Sequence, residues 1–354
     1  MNDRRSTTSV TARSGFRRGK LAGLLWFLGI ILAVYGYWFV MANFVIHDFW
    51  DPSYAWKCDN LRARMRDYPG HPLWLVMGSS RVVFGFKPET LEPAMREKGA
   101  PLIYNFGLSG VGLFREYIYF RRLLEDGFQP RRVVIEIFDA DIVHEIFAAN
   151  EAPMIVVRAR KNELADFLSY STTPPDFVGN WWRSRWDPAF KYGMTMANQT
   201  RSWSLLPLPG MARMEKIAYD QWGWALMENA TSEKDYQEQF GVNQRHYGGE
   251  LAHITIAPNS GPVLHKFLDL CRERGIDAVL LEMPEADDFR ALHTPEGDAA
   301  LARWVAGFVE QYNVPLINAS TWIERSGFSD GHHLNGGGAE KFTRRLGEEL
   351  FKTP

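Results

Sequence analysis

From residue 21 to residue 46 the chain reads LAGLLWFLGIILAVYGYWFVMANFVI, with no charged side chain anywhere in the run. As a helix rising 1.5 Å per residue, this run spans about 39 Å, more than the roughly 30 Å hydrocarbon core of a bilayer. The preceding residues 1–20 carry Arg4, Arg5, Arg13, Arg17, Arg18 and Lys20 against Asp3 alone. Cationic residues gather on the cytoplasmic side of a membrane span, so the N-terminus is expected in the cytoplasm and the rest of the chain in the periplasm or extracellular space. Tyr35, Tyr37, Trp38 and Trp50 suit the outer interface. A cleaved signal peptide is the alternative reading. Its apolar region is ordinarily about 7–15 residues long and ends in a small-x-small site, whereas Val40-Met41-Ala42-Asn43 makes a poor one. A buried core helix is disfavoured because the run shows no polar face.

Beyond the span, residues 47–70 read as a juxtamembrane stalk packing on the domain that fills 71–354. That domain has a rhythm. Short apolar runs ending in turn residues, LWLVMG (73–78), PLIYNFG (101–107), RRVVIEIF (131–138), IDAVLLEMP (276–284) and VPLINAS (314–320), read as buried strands. Helical patterns lie between and after them at 87–99, 113–127, 263–275, 299–313 and 337–351, several closed by glycine. Strands alternating with helices predict an α/β three-layer sandwich with about five parallel strands covered on both faces. Residues 142–260 break the rhythm and read as a largely helical insertion between the third and fourth strands, with NWWRSRW (180–186) its most aromatic stretch.

The formal net charge of -2 gives no footing for nucleic-acid binding. Cys58 and Cys271 are the only cysteines, too few for a disulfide framework or a zinc site, and leave open one pairing or two buried thiols.

In open α/β sheets, sites form beyond the carboxyl ends of the strands. The first strand ends in Gly78-Ser79-Ser80-Arg81 and the second in Asn105-Phe106-Gly107-Leu108-Ser109-Gly110; the fifth is followed by Ser329-Asp330-Gly331-His332-His333-Leu334-Asn335. A serine on a strand-end turn can meet a histidine base oriented by a carboxylate, and glycine-rich turns can offer N–H groups to an oxyanion. Each piece has a plain alternative: a capping serine, a surface turn, an ordinary ion pair for Arg81. Metal binding by Asp330, His332 and His333 lacks a remote further ligand motif, so no metal or cofactor is expected.

Taken together, these blocks resemble the SGNH, or GDSL-like, hydrolase superfamily over roughly residues 71–140 and 261–350. The closest type is the membrane-anchored proteins that accompany cell-surface acylation. The resemblance implies Ser80 as nucleophile, with Ser79 where the family carries Asp, and His333 as general base oriented by Asp330. It points to Gly110 as an oxyanion donor with Gly107 and Asn105 nearby, and Arg81 is a candidate for an anionic substrate group. One block departs: the family's Gly-x-Asn-Asp is replaced by Phe138-Asp139-Ala140-Asp141, which has no Asn to donate. The implied activity is an O-acyl esterase or O-acyltransferase working on an acylated cell-envelope glycan, beside a multispanning acyltransferase partner. The alternative is a degenerate scaffold that binds a glycan or such a partner.

Overall fold

A computed structural model describes residues 11–40, 51–143, 156, 158–170, 174–186 and 217–353. The chain divides into two compact units, one of residues 1–50, 156–158 and 175–214, the other of 51–155, 159–174 and 215–354.

The first unit contains α1 (Thr11–Val40), whose stretch Gly19–Tyr37 is long and apolar enough to cross a membrane and is nowhere buried by protein. At the far end of this helix Phe39 is half-buried and stacks on Trp186 at 5.1 Å.

The second unit is built on a five-stranded, wholly parallel sheet: β1 (Leu73–Met77), β2 (Leu102–Asn105), β3 (Pro130–Glu136), β4 (Asp277–Glu282) and β5 (Leu316–Asn318), in the order β2-β1-β3-β4-β5. Leu75, Val76, Val133, Val134, Leu280 and Leu281 are fully sequestered at its centre, as expected where helices cover both faces. The chain crosses from one side of β1 to the other between β2 and β3, so the carboxyl ends of β1 and β3 flank a topological switch point. The parallel α/β sandwich expected from the apolar runs is therefore what the chain forms.

Helices in chain order are α2 (Pro52–Asp67), α3 (Ser80–Gly85), α4 (Glu92–Met95), α5 (Leu113–Glu125), α6 (Asp139–Val143), α7 (Leu164–Tyr170), α8 (Pro174–Trp186), α9 (Glu233–Ala252), α10 (Ser260–Arg274), α11 (Asp287–Arg290), α12 (Pro295–Tyr312) and α13 (Gly336–Lys352). From Pro175 onward α8 belongs to the first unit. Helix α5 packs against α10, with Phe120 and Phe267 ring centres 4.9 Å apart, and α13 packs against α3. Gly275 ends α10 in a left-handed turn (φ +64°), as the glycine stop predicted. The single helix expected over 87–99 is instead a 3-10 turn, Pro88–Leu91, running into α4, because Pro93 lacks the N–H that a continuous helix would direct to the carbonyl of Glu89.

The segment expected as a stalk holds α2, which is seated in the domain. Tyr54, Lys57, Cys58 and Leu61 are buried. Arg122 of α5 forks onto Glu163 at 2.7 Å through both Nε and Nη2, and reaches Asp51, the cap of α2, at 3.0 Å. Lys57 donates from Nζ to the carbonyls of Asn105 and Gly223. Burial pushes its pKa well down, against the opposing pull of Asp220. Both cysteines are buried free thiols.

Candidate active site

The site begins where β1 runs into α3. A Cβ on Gly78 would lie 2.4 Å from both the Glu136 carboxylate and Val82, so only glycine fits. Ser79 then caps α3: its Oγ accepts from the Arg81 N–H at 3.1 Å, and its own N–H donates to Glu136 Oε2 at 2.6 Å. Where the resemblance puts an Asp, this chain uses a serine as a helix cap. Ser80 is thereby the first helical residue, with its hydroxyl half-exposed at the carboxyl edge of the sheet.

The loop before α13 brings in the other two groups. It is pinched by the Phe328–Leu334 bridge and by Ser329 N–H donating to His333 O at 2.9 Å, and Gly331 turns it at φ +96°. Asn335 then caps α13 through the Gly338 N–H at 2.9 Å. Within this loop Asp330 Oδ2 lies 2.7 Å from His333 Nδ1, and Oδ1 accepts the His333 backbone N–H at 2.9 Å. The other ring nitrogen, Nε2, is 2.7 Å from Ser80 Oγ. With Nδ1 donating to the carboxylate, Nε2 is left as the acceptor for the serine hydroxyl proton. Burial alone would raise the Asp330 carboxyl. The charge and hydrogen bonds of His333 override it and hold the group below the usual carboxylate range.

Neighbouring aromatic rings frame the triad. Phe84 meets the His333 ring edge-on at 5.4 Å. His332 is buried among Phe138, Tyr247 and Phe289. Its burial, followed by the charge of His333, drives its pKa well down, so it stands as a neutral ring behind the base. A 180 Å³ pocket opens beside Ser80, lined among others by Gly110, Gly112, Phe138, Asp141 and Tyr247. The backbone N–H groups of Ser80 and Gly110 hydrogen-bond to no described residue, and both residues line this pocket.

Three expected participants stand elsewhere. Asn105 is fully buried: its amide donates to the carbonyls of Val82 and Phe86 at 2.8 and 2.6 Å, and its Oδ1 accepts the Gly107 N–H at 2.9 Å. It therefore anchors α3 and has no donor left for an oxyanion. Gly107 spends its N–H on that same amide. Its lack of a Cβ serves close approach, since one would lie 2.9 Å from the Val83 nitrogen. Arg81 is not among the residues that line the pocket. It is buried against Phe138, pairs with Glu285 at 3.0 Å, and donates to the carbonyls of Met283 and Pro284.

The block without Asn divides in two. Asp139 lies 3.5 Å from His293 Nδ1, away from the pocket, and burial together with the charges of Glu285 and Glu282 pushes its pKa well up. Asp141 does line the pocket. Three contributors were invisible to motif reading. Glu136, which holds the Ser79 N–H, was signalled only as a lone charge in the apolar strand VVIEIF. His246 and Tyr247, from the insertion, wall the pocket without any motif to mark them.

No family model matches the chain, and no curated protein matches it. Among solved structures it is similar to TesA (12% identity, TM-score 0.38, covering 78% of this chain and 97% of that one). It is also similar to a GDSL-like lipase from Bacteroides thetaiotaomicron (12% identity, TM-score 0.36, covering 84% and 98%). Likenesses this distant bear on neither activity nor substrate. The chain's own architecture is more telling: a 2-1-3-4-5 parallel sheet, a serine after β1, a free glycine N–H after β2, and an Asp-x-x-His after β5. The sheet order and the Ser–His–Asp line agree with the resemblance drawn from the sequence blocks. No side-chain amide takes the place of the missing Asn among the described residues that line the pocket.

Proposed function

We propose that this chain is a serine O-acyl esterase or O-acyltransferase, tethered by α1 outside the cytoplasm and acting on short acyl groups, acetyl above all, of a cell-envelope glycan. The observation that carries the reading is the unbroken line from Ser80 Oγ to His333 Nε2 and from His333 Nδ1 to Asp330, 2.7 Å at each step. In such a line His333 takes the Ser80 proton as Oγ attacks the acyl carbonyl, then returns it to the leaving alkoxide. The acyl-Ser80 ester is next attacked by water or a sugar hydroxyl, deprotonated by the same nitrogen. The N–H groups of Ser80 and Gly110 are the donors available to the oxyanion. Working without a third donor would slow turnover about a hundredfold or more. The pocket, at 180 Å³, is smaller than the roughly 300–1,000 Å³ that encloses drug-sized ligands, which favours a short acyl group.

The block lacking Asn supports a second reading, a degenerate module that binds a glycan or a multispanning acyltransferase. Full-length protein in nanodiscs, assayed on p-nitrophenyl acetate and longer esters and probed with a fluorophosphonate, separates the two. The first reading expects labelling and acetate-preferring turnover, both abolished in Ser80→Ala. Equal turnover in both proteins would remove Ser80 from the mechanism, and a chain that neither reacts nor turns over supports the module. Adding sugar acceptors and measuring acylated product against free acid distinguishes transfer from hydrolysis.

A further inference from the structure

Helix α9, from the insertion, lays one side along the catalytic loop. Phe240 closes on Gly331, where a Cβ would lie 2.9 Å from its ring, and the Asn243 amide donates to the Asp330 carbonyl at 2.9 Å. Residues 240, 243 and 247 share one side of a helix, so Tyr247 follows one turn after Asn243, and it lines the pocket beside Ser80. The same helix packs on α6, which opens with the Asp139-Ala140-Asp141 of the block without Asn. The Tyr247 ring meets Phe138, the first residue of that block, edge-on at 5.7 Å. Tyr247 therefore stands next to the segment from which a side-chain amide is missing.

Its ring is held on several sides, by Phe138, by His332 at 5.4 Å, by Phe289 at 6.0 Å and by His246 at 4.5 Å. Its hydroxyl hydrogen-bonds to no described residue, yet it is not sealed from solvent. A phenol O–H can donate. Burial, followed by the charge of Asp141, pushes the Tyr247 pKa up, so the proton stays on the oxygen. Arg115 and His246 also line the pocket, but each already meets a partner of its own. We propose that the Tyr247 hydroxyl is the third oxyanion donor, carried by the insertion in place of the missing Asn. As Ser80 Oγ adds to the acyl carbonyl, the carbonyl π pair moves onto its oxygen. Tyr247 then hydrogen-bonds to that oxygen beside the N–H groups of Ser80 and Gly110, and keeps its proton throughout. This rests on the reading of Ser80 as the nucleophile and adds a catalytic residue to it.

The test compares the native chain, Tyr247→Phe and Ser80→Ala, each full-length in nanodiscs. Turnover of p-nitrophenyl acetate is measured together with the rate of labelling by a fluorophosphonate, whose P=O oxygen takes the place of the acyl oxygen. Removing one donor should cut kcat about a hundredfold, leave KM within about threefold, and slow labelling by a similar factor. The melting midpoint should stay within a few degrees of native, because phenylalanine keeps the ring contacts and the lost hydroxyl bonds to no described residue. A loss below tenfold, or one carried by KM alone, would overturn the proposal; with Ser80→Ala inactive in the same assay, the esterase reading would still stand. A Tyr247→Phe chain that melts well below native would show the hydroxyl tied into the fold and would overturn it too. Where the native chain labels without turning over, the labelling rate alone decides, at the same tenfold line. A native chain that neither labels nor turns over removes the esterase reading, and the proposal with it.

Discussion

Replacing Asp330 with Asn tests the triad at its least exposed member. The native carboxylate does two things: Oδ2 fixes the proton on His333 Nδ1, and its charge faces the imidazolium that forms when Ser80 is deprotonated. Opposite unit charges with centres about 4 Å apart attract by about 4 kcal/mol at an effective dielectric of roughly 20. Losing that attraction in the transition state corresponds to roughly a thousandfold in rate. An Asn amide turned toward Nδ1 would also force the proton onto Nε2, where it blocks acceptance from Ser80, and bring the loss toward about ten-thousandfold. The assay is kcat/KM on p-nitrophenyl acetate at pH 7, with the thermal midpoint measured on the same preparations. Because the native carboxyl is depressed, it stabilises the fold above the ordinary carboxylate range and loses that contribution as pH falls through its own lower value. Asp330→Asn should therefore be less stable than the native chain at neutral pH, with the gap closing below about pH 4. Turnover within tenfold of native, in a folded variant, would refute the assignment of Asp330 as the partner that orients the base.

Glu116 of α5 is buried with Oε2 unpartnered, and burial followed by the charges of Glu136 and Asp141 pushes its pKa well up. The folded state thus keeps a proton that the unfolded chain releases above about pH 4, so this group costs stability as pH rises. Glu116→Gln should be more stable than the native chain by about 1–3 kcal/mol at pH 8 in chemical denaturation; a gain that does not shrink toward pH 4 would contradict the account. Burial raises both cysteine thiols to about 12. Neither should react with iodoacetamide at pH 8 until denaturant is added, and stoichiometric labelling of native protein would show that one of them opens.

Much of this could be read in the sequence because the information is local. A five-residue apolar strand followed by Gly-Ser-Ser, and an Asp three residues before a His, specify their geometry within a single turn. Asn105 and Arg81 misled because proximity to a motif says nothing about where a long or branched polar side chain turns. The Asn105 amide folds back onto the carbonyls that end α3, and Arg81 runs inward to Glu285. Pro93 broke a helix that apolar spacing alone would have continued. Tyr247 reaches the pocket across more than a hundred residues of chain, a placement no pattern within the insertion could reveal.

The short helix that carries Ser80 is clasped at both ends. At its start Ser79 is tied to Glu136 at the end of β3, and at its finish the Asn105 amide of β2 gathers the carbonyls of Val82 and Phe86. These ties make the nucleophile's position a property of the sheet rather than of a loop, so little rearrangement is left for substrate to induce. Heating should then offer no partly folded, inactive chain with a loosened serine: loss of the reactive centre and loss of the sheet become one event.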